Sequence, residues 1–155
     1  MISATESAAS AFFSSAAFAV VGASSNPAKF GHQVFTWYLA RSLPVVPVNP
    51  VASSISALSA SYATVPSLSA LPDPTHTSVS IITPPAVTLN VLREAKEVGI
   101  RAVWLQPGTW DQAVVDYVTA PGAFESVVGG DGGRGHGGWC VLVDGDKALK
   151  TAGKL

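Results

Sequence analysis

Short apolar runs that alternate with helix-forming segments restrict the fold of this chain more than any other feature of its sequence. The run Ala17–Val21 is apolar at every position, which favours a strand covered on both faces, as in parallel sheets. Further strands are predicted at Leu43–Val48, Ser59–Ala63, Ser78–Ile82, Arg101–Leu105 and Trp139–Val143. Helices are predicted before and between them, at Thr5–Ser15, Phe30–Arg41, Ser67–Leu71, Ala86–Val98 and Trp110–Val118. Such alternation implies a parallel sheet that carries helices on both faces.

Right-handed crossovers turn this alternation into a doubly wound, Rossmann-like α/β fold. We predict a mostly parallel sheet of about five to six strands with helices on both faces. A chain of 155 residues has the size of one domain, so residues 1–155 are assigned to a single domain. Within it, residues 1–16 contain an N-terminal helix, residues 129–138 (GGDGGRGHGG) form a flexible surface loop, and the polar tail from Asp144 is partly frayed.

Composition and charge exclude several classes of protein. The chain is 48% hydrophobic and 12% charged with a net charge of −1, which fits a globular domain and provides no basic field for nucleic acid. The single cysteine excludes an internal disulfide framework and suits a reducing compartment. No apolar run reaches the ~18 residues that span a bilayer, and the stretch around Glu6 lacks the basic residues of a targeting peptide. We therefore expect a cytoplasmic protein without a membrane or nucleic-acid partner.

The ends of the predicted strands carry the candidate site. Gly22-Ala23-Ser24 follows the first strand, Asn49-Pro50 the second, Thr83-Pro84-Pro85 the fourth and Gln106-Pro107-Gly108 the fifth. In doubly wound sheets, ligands bind outside the carboxyl ends of the strands, at the point where the strand order reverses. We therefore expect these turns to converge on one crevice.

The first of these turns, within FAVVGASSNPAKFGH at residues 18–32, has the chemistry of a phosphate site. Gly22 permits a tight exit from the strand, and the amides and hydroxyls of Ser24 and Ser25 can donate to phosphate oxygens. Lys29 adds a positive charge, and Gly31 is expected to let the following helix lie close to the turn. An ordinary strand–helix turn without a ligand would explain the same glycine. The position after the first strand of a doubly wound sheet is what favours a phosphate site.

The same turn departs from the dinucleotide-binding pattern. The second glycine, which lets the backbone crowd against a pyrophosphate, is missing after Gly22. The second strand ends in Val48-Asn49-Pro50, without the acid that holds a ribose 2′-hydroxyl, and no arginine follows to accept the 2′-phosphate of NADP. Both departures count against an NAD(P)-binding oxidoreductase or redox sensor, which is kept as the alternative.

The set VVGAS-x-NPxKFG, VPVNP, TPP and WLQPG resembles the family of small stand-alone CoA-binding domains, which are related to the CoA-binding domain of succinyl-CoA synthetase alpha subunits. The resemblance covers roughly Ala17 to Val118, with a weaker match at Val143-Asp144. The last strand of that family often ends in Asp-Arg-Cys, where this chain has Asp144-Gly145-Asp146 and so lacks the basic residue and the thiol. The glycine-dense insertion before Trp139 is also unlike the compact bacterial members.

The resemblance implies that the chain binds coenzyme A or an acyl-CoA through its four turns. The diphosphate would meet Gly22, Ala23, Ser24 and Ser25, bordered by Asn26, Lys29 and Phe30. The adenosine would lie near Val48, Asn49 and Pro50. The adenine or the start of the pantetheine would be bordered by Thr83, Pro84 and Pro85, and the outer pocket toward the pantetheine end would be lined by Gln106, Pro107 and Gly108.

No catalytic constellation and no metal site is visible in the sequence. The scattered histidines, His32, His76 and His136, and the single cysteine, Cys140, offer no metal-ligand spacing. His32 is predicted to be a surface or supporting residue near the phosphates, and Cys140 to be an inert core thiol. Because no Ser–His–Asp or paired-carboxylate set is present, we expect a binding module without catalysis of its own, although an enzyme stays open. A third hypothesis is an interaction protein with a vestigial pocket, which contacts a partner or a second copy of itself.

Overall fold

The computed structural model describes residues 2, 4–131, 133–134 and 137–154, and its centre is a five-stranded parallel sheet. The strands are β1 (Ala17–Val21), β2 (Val45–Val48), β3 (Ser54–Ala57), β4 (Ala60–Ala63), β5 (Thr77–Ile81), β6 (Ala102–Leu105) and β7 (Ser126–Val128). The sheet has the order β2-β1-β5-β6-β7, and each neighbouring pair is parallel. β2 lies on one side of β1, whereas β5, β6 and β7 follow in order on its other side, so the strand order reverses between β1 and β5. This is the doubly wound topology that the alternation of strands and helices predicted, and that prediction is confirmed.

Helices cover both faces of the sheet. They are α1 (Glu6–Phe12), α2 (Phe30–Ala40), α3 (Pro85–Val98), α4 (Gln112–Thr119) and α5 (Val141–Thr151), with 3₁₀ turns at Leu68–Ala70 and Pro74–His76. One core contains side chains of α1, α2 and α5, and the other contains side chains of α3 and α4. In β1, Phe18 and Val20 enter the first core while Ala19 and Val21 enter the second. The apolar residues at every position of β1 are thus explained, because both faces of the strand are buried.

The predicted N-terminal helix is present but shorter than expected. The side chain of Thr5 accepts a hydrogen bond from the amide of Ala8 at 3.0 Å, so Thr5 is the N-cap of α1 as predicted. Phe12 and Phe13 are both fully buried, and each lies edge-on or tilted against the ring of Trp104. These contacts hold α1 against β6, and α1 also packs against the edge strand β7.

Tyr38 carries a polar group into the same core. Its hydroxyl lies 2.7 Å from the hydroxyl of Ser80 on β5, and both residues are fully buried. Burial raises the pKa of the Tyr38 phenol, so the hydroxyl stays protonated and paired. The two serines in the SVSII run, Ser78 and Ser80, therefore lie on the covered face toward α1 and α2.

The region after β2 differs from the sequence prediction. One strand was predicted near residues 59–63, whereas an antiparallel hairpin pairs β3 with β4. Leu58 and Ser59 form its turn with positive φ angles of 48° and 64°, a conformation that usually selects asparagine or glycine. Because the turn lacks those residues and the strands consist largely of serine and alanine, the sequence pattern does not indicate a hairpin here.

The predicted last strand at Trp139–Val143 is wrong. The last strand is β7, and α5 begins at Val141 and continues to Thr151 through the segment that was expected to fray. Ala148 and Leu149 are buried in the core with α1 and α2, which explains why the tail is ordered as a helix. A short apolar run fits a buried strand and a buried helix equally well. The residues after the run are largely polar, so the sequence did not indicate that the helix continues.

Asp144-Gly145-Asp146 lie inside α5 and not at the end of a strand. They are therefore not the counterpart of the Asp-Arg-Cys that often ends the last strand of the family. The residue that follows β7 after two glycines is Asp131, and Arg134 and Cys140 come later in the chain. An acid, an arginine and a cysteine thus do follow the last strand in that order, separated by the glycine-rich insertion.

The glycine-rich segment is only partly a surface loop. Gly129, Gly130 and Gly138 are buried, and the Gly138 Cα lies so close to the Gly130 carbonyl oxygen that an added Cβ would be 2.4 Å from it. Gly132, Gly135 and His136 lie outside the described residues. The flexibility of residues 129–138 stays a prediction. None of the helices in the described ranges combines the length and the apolar character needed to cross a bilayer.

Candidate nucleotide-binding site

An open cleft of about 350 Å³ lies at the carboxyl end of β1, beside the point where the strand order reverses. Its walls come from the turn after β1, the first turn of α2, and the ends of β2 and β5. The lining residues are Gly22, Ala23, Ser24, Lys29, Phe30, Gly31, Asn49 and Ile82. The turn after β1, Asn49 after β2 and Ile82 after β5 therefore meet at one site. Of the four turns that were expected to converge, Thr83-Pro84-Pro85 and Gln106-Pro107-Gly108 contribute no lining residue.

Gly22 makes the tight exit from β1. Its φ angle is +96°, and a Cβ at this position would lie 2.3 Å from the carbonyl oxygen of Ile82. Its amide still donates to the Val48 carbonyl oxygen at 3.3 Å, which extends the ladder with β2 by one bond. A side chain is therefore excluded both by the backbone conformation and by the neighbouring strand.

Gly31 lets the first turn of α2 lie against the Gly22 turn. A Cβ at Gly31 would be 1.9 Å from the Gly22 carbonyl oxygen, which no rearrangement of a side chain could relieve. The expectation that Gly31 permits a close approach is thus confirmed. Gly31 serves the packing purpose that a further glycine has in dinucleotide-binding turns.

Hydrogen bonds within the loop between β1 and α2 fix its shape. The Ser24 hydroxyl accepts from the Asn26 amide at 3.1 Å, and the Asn26 side chain accepts from the Ala28 amide at 3.0 Å. The Ser25 hydroxyl accepts from the amide of Ser56 on β3 at 2.9 Å, which ties the loop to the hairpin. Because each serine oxygen accepts in these bonds, its own O–H is free to donate to a ligand.

Backbone amides without a hydrogen-bond partner lie at the cleft and in the loop that borders it. Among the described residues, the amides of Ser24, Ser25, Phe30 and Gly31 donate no hydrogen bond within the protein, and all of these residues except Ser25 line the cleft. Lys29 is exposed at the N-cap of α2 and adds a positive charge beside the positive end of an 11-residue helix. Amides at a turn, a helix N-terminus and a lysine together suit a negatively charged group such as phosphate.

The Asn49 side-chain amide is bonded within the protein through both its nitrogen and its oxygen. Its Nδ2 donates to the Ala23 carbonyl oxygen at 3.1 Å, and its Oδ1 accepts from the amides of Val51 and Ala52, both at 2.9 Å. Val48 is buried and Pro50 is exposed. Asn49 thus joins the turn after β2 to the turn after β1.

The turn after β5 leads directly into α3. Pro84 is the N-cap and Pro85 the first residue of the helix. The hydroxyl of Thr83 lies 2.7 Å from the hydroxyl of Thr88, which is fully buried and also donates toward the carbonyl oxygens of Thr83 and Pro84. The hydrogen bonds from Thr88 of α3 thus hold this turn in place, and Thr83 is half-buried and follows Ile82, which lines the cleft.

Gln106 lies apart from the cleft residues. Its side chain is fully buried, its Nε2 donates to the Cys140 sulfur at 3.4 Å, and its Oε1 accepts from the Val141 amide at 2.9 Å. Gln106 therefore connects the end of β6 to the start of α5. Pro107 is half-buried, and Gly108 is exposed with a φ angle of +88°. The geometry does not bring the Gln106-Pro107-Gly108 turn into the cleft at the end of β1.

His32 is more closely involved with the loop than the sequence suggested. Its Nδ1 lies 2.9 Å from the Ser24 carbonyl oxygen, and the residue is half-buried in the first turn of α2. The sequence shows only that His32 lies eight residues after Ser24 and directly after Gly31. This spacing does not by itself predict a hydrogen bond between the imidazole and the Ser24 carbonyl group.

Of the other cavities in the described part of the chain, two concern residues discussed above. One of about 540 Å³ is open and lies between the β3–β4 hairpin and the far side of the same loop, where it contacts Ser25 and His32. One of about 140 Å³ lies between α1, α5 and the residues Gly133 and Arg134. In the described ranges, no three histidine, cysteine, aspartate or glutamate residues are grouped closely enough to hold a metal ion.

The fold defines a class of protein, the doubly wound α/β domains, and the cleft lies at the switch point of the sheet, where ligands bind in such domains. Within that class, the chain belongs to the CoA binding domain family, whose sequence pattern matches residues 16–131. The matched range includes the four turns and stops before α5. No curated protein matches the sequence.

Solved structures share the fold over most of the chain. A conserved hypothetical protein from Pyrococcus furiosus is 31% identical with a TM-score of 0.60, and the match covers 72% of this chain and 91% of that one. A hypothetical protein from Pyrococcus horikoshii is 23% identical with a TM-score of 0.74, and 94% and 92% of the two chains are covered. A Thermus thermophilus protein gives 21% identity, a TM-score of 0.71 and coverage of 93% and 98%.

Proposed function

We propose that the chain binds coenzyme A or an acyl-CoA in the cleft at the carboxyl end of β1. The observation that carries the proposal is the group of unpaired amides at Ser24, Phe30 and Gly31, which line the cleft beside Lys29, in a member of the CoA binding domain family. The unpaired amide of Ser25 follows that of Ser24 in the same loop. The diphosphate of the ligand would accept hydrogen bonds from these amides and from the serine hydroxyls. The adenosine would extend toward Asn49 and Pro50, and the pantetheine toward Thr83, Pro84 and Pro85.

In this proposal, the turn Gln106-Pro107-Gly108 does not line the part of the site that holds the diphosphate. Because Gln106 is buried and bonded to Cys140 and Val141, its side chain supports the start of α5 rather than contacting the ligand. Pro107 and Gly108 would border only the far, pantetheine end of an extended ligand.

The chemistry of Asn49 favours CoA over NAD(P). The position at the end of β2 is where an acidic residue holds the ribose 2′-hydroxyl of NAD in dinucleotide-binding folds. Here the side-chain amide is bonded to Ala23, Val51 and Ala52, so its oxygen has no role left for a ribose hydroxyl. A basic residue for a 2′-phosphate is also missing from the sequence that follows, Pro50 to Ala63.

Binding without catalysis is the form of the proposal that the cleft supports. Of the residues that line it, Lys29 alone is titratable, and it has no general-base partner among the other lining residues. Acid–base or nucleophilic chemistry requires such a partner within hydrogen-bond reach.

Isothermal titration calorimetry with coenzyme A, dephospho-CoA and NAD⁺ tests the proposal. We expect heat and a one-to-one stoichiometry with coenzyme A, and no saturable heat with NAD⁺. Titration of acetyl-CoA and a long-chain acyl-CoA in the same series decides whether an acyl group is accepted. The proposal fails if coenzyme A at high micromolar concentration gives no heat while the protein is folded by circular dichroism.

Replacement of Lys29 by alanine is expected to weaken coenzyme A binding by about 1–2 kcal/mol, or roughly 5- to 30-fold in Kd, because one charge-assisted contact to phosphate is lost. Lys150→Ala is the matched control, since Lys150 is an exposed lysine in the last turn of α5, far from the cleft in the fold. Calorimetry in low and high salt measures both variants. An unchanged affinity in Lys29→Ala would remove this lysine from the site.

A further inference from the structure

Two side chains from different elements hold consecutive carbonyl groups of the loop between β1 and α2. Asn49 Nδ2 donates to the Ala23 carbonyl oxygen at 3.1 Å. His32 Nδ1 lies 2.9 Å from the Ser24 carbonyl oxygen. Because a carbonyl oxygen can only accept, the proton of this second hydrogen bond belongs to His32 Nδ1.

Holding a carbonyl also sets the direction of an amide. The C=O and the N–H of one trans peptide unit are coplanar and point in opposite directions. The peptide bonds of the described chain are trans, so the Ala23 carbonyl and the Ser24 amide point oppositely, as do the Ser24 carbonyl and the Ser25 amide. The two donors, Asn49 and His32, therefore direct the amides of Ser24 and Ser25 away from themselves.

Those two amides are among the donors that have no partner in the described part of the chain. The other hydrogen bonds here run from the Asn26 amide to the Ser24 hydroxyl and from the Ser56 amide to the Ser25 hydroxyl, and both reach serine side chains. Neither contacts the carbonyl or the amide of the peptide unit between Ser24 and Ser25, whose hydrogen bond within the described chain is the one to His32. A rotation of the plane would replace the N–H dipole by a carbonyl oxygen, which repels an anion.

We propose that His32 and Asn49 are positioning residues of the anion site. They hold the carbonyl groups of Ala23 and Ser24 so that the amides of Ser24 and Ser25 point toward the ligand. For Asn49, this replaces the direct contact with adenosine that the resemblance implied. The ligand part of the inference rests on the proposed function, whereas the orientation of the amides belongs to the ligand-free protein and stands separately.

Two substitutions at His32 separate a donor effect from a packing effect. In His32→Asn, the side-chain Nδ2 lies near the place of the imidazole Nδ1 and can still donate to the Ser24 carbonyl oxygen. In His32→Leu, the bulk is kept and the donor is lost. Residual dipolar couplings of the Ser24 and Ser25 N–H vectors in ¹⁵N-labelled, ligand-free protein report the orientation of both amides.

We expect the Ser25 coupling to change in His32→Leu and to stay at the wild-type value in His32→Asn. Affinity for coenzyme A, with inorganic pyrophosphate as a second probe, should fall about tenfold in His32→Leu and by less than about twofold in His32→Asn, the range for one lost hydrogen bond. Asn49→Asp keeps the acceptor for Val51 and Ala52 but removes the donor to Ala23, so the Ser24 coupling should change.

An unchanged Ser25 coupling in a folded His32→Leu variant overturns the role of His32, and an unchanged Ser24 coupling in Asn49→Asp overturns that of Asn49. If His32→Leu does not fold, the imidazole ¹⁵N shifts of the wild-type protein decide the matter. Neutral His32 must carry its proton on Nδ1, and a proton on Nε2 contradicts the inference. If the wild type binds neither coenzyme A nor pyrophosphate, the proposed function fails, while the couplings still decide whether the amides are positioned as stated.

Discussion

A Gly31→Ala variant is expected to lose about 3 kcal/mol of unfolding free energy and most of its affinity for coenzyme A, although alanine is the better helix former. In an exposed helix this substitution would add about 1 kcal/mol of stability. In this protein the new Cβ would lie 1.9 Å from the Gly22 carbonyl oxygen, so α2 must move away from the turn after β1. Overpacking of this kind costs about 1–3 kcal/mol, and here the obstacle is backbone that cannot rotate aside.

The displacement also acts on the site. The amides of Phe30 and Gly31 belong to α2, and those of Ser24 and Ser25 belong to the loop before it. Separation of the two groups would break the single cluster of donors that the proposed function requires. The measurements are urea unfolding followed by circular dichroism and calorimetry with coenzyme A.

Gln33→Ala is the control for Gly31→Ala. Gln33 is exposed, lies two residues further along α2, and should show an unfolding free energy within about 0.5 kcal/mol of the wild type. A Gly31→Ala variant as stable as wild type would contradict the close approach of α2 to the Gly22 turn.

Replacement of Asp144 by alanine is expected to lower the unfolding free energy by about 3 kcal/mol. Asp144 is 5% exposed, its Oδ2 accepts from the Cys140 amide at 3.0 Å, and its Oδ1 accepts from the Arg134 amide at 2.8 Å. Each hydrogen bond to a buried carboxylate contributes about 1.5–3 kcal/mol, and its removal leaves a buried amide without a partner. The loss should show as a lower midpoint of urea unfolding without a large change in slope.

Asp146→Ala is the matched control on the same helix. Asp146 accepts from Arg41 Nε at 2.5 Å and from Arg41 Nη2 at 2.9 Å, but its side chain is 54% exposed. Exposed ion pairs contribute less than about 1 kcal/mol, so this variant should remain near wild type. The hydrogen bond from Arg41 lowers the pKa of Asp146, so its small stabilisation is present near neutral pH and is lost as the pH falls through that pKa. Equal losses for the two aspartates would contradict the assigned difference in burial.

The strands and helices that flank the site were predictable because their patterns are local. Ala17–Val21 was predicted and observed with the same bounds, and the predicted helix at Ala86–Val98 begins one residue earlier, at Pro85. The first segment is a short continuous apolar run and the second has apolar residues at helical spacing, and a glycine follows each. The order of these segments along the chain was enough to predict a doubly wound sheet.

The C-terminal third was not predictable in the same way. β7 is only three residues long, and its sequence SVV lacks the length or alternation that indicates a strand. The run from Trp139 looked like a strand because nothing in the sequence shows that Asp144 turns back to the Cys140 amide and begins a helix. The second partner of the buried Asp144 carboxylate is the amide of Arg134, ten residues earlier in the chain and inside a segment of low complexity.

The sequence by itself determined the element order, the covered parallel sheet, and the residue types that a phosphate site needs after the first strand. Glycine, serine and lysine at residues 22–31 carry that chemistry in any conformation that brings their amides together. Only the tertiary structure decided which groups remain free for a ligand. Asn49 and Gln106 are polar and follow strands, so the sequence suggested that they contact the ligand. In the structure, the side-chain amide of Asn49 is bonded to Ala23 and that of Gln106 to Cys140 and Val141. Such contacts join residues 26 to 35 positions apart, and their distances depend on how the strands are ordered in the sheet, which no local pattern encodes.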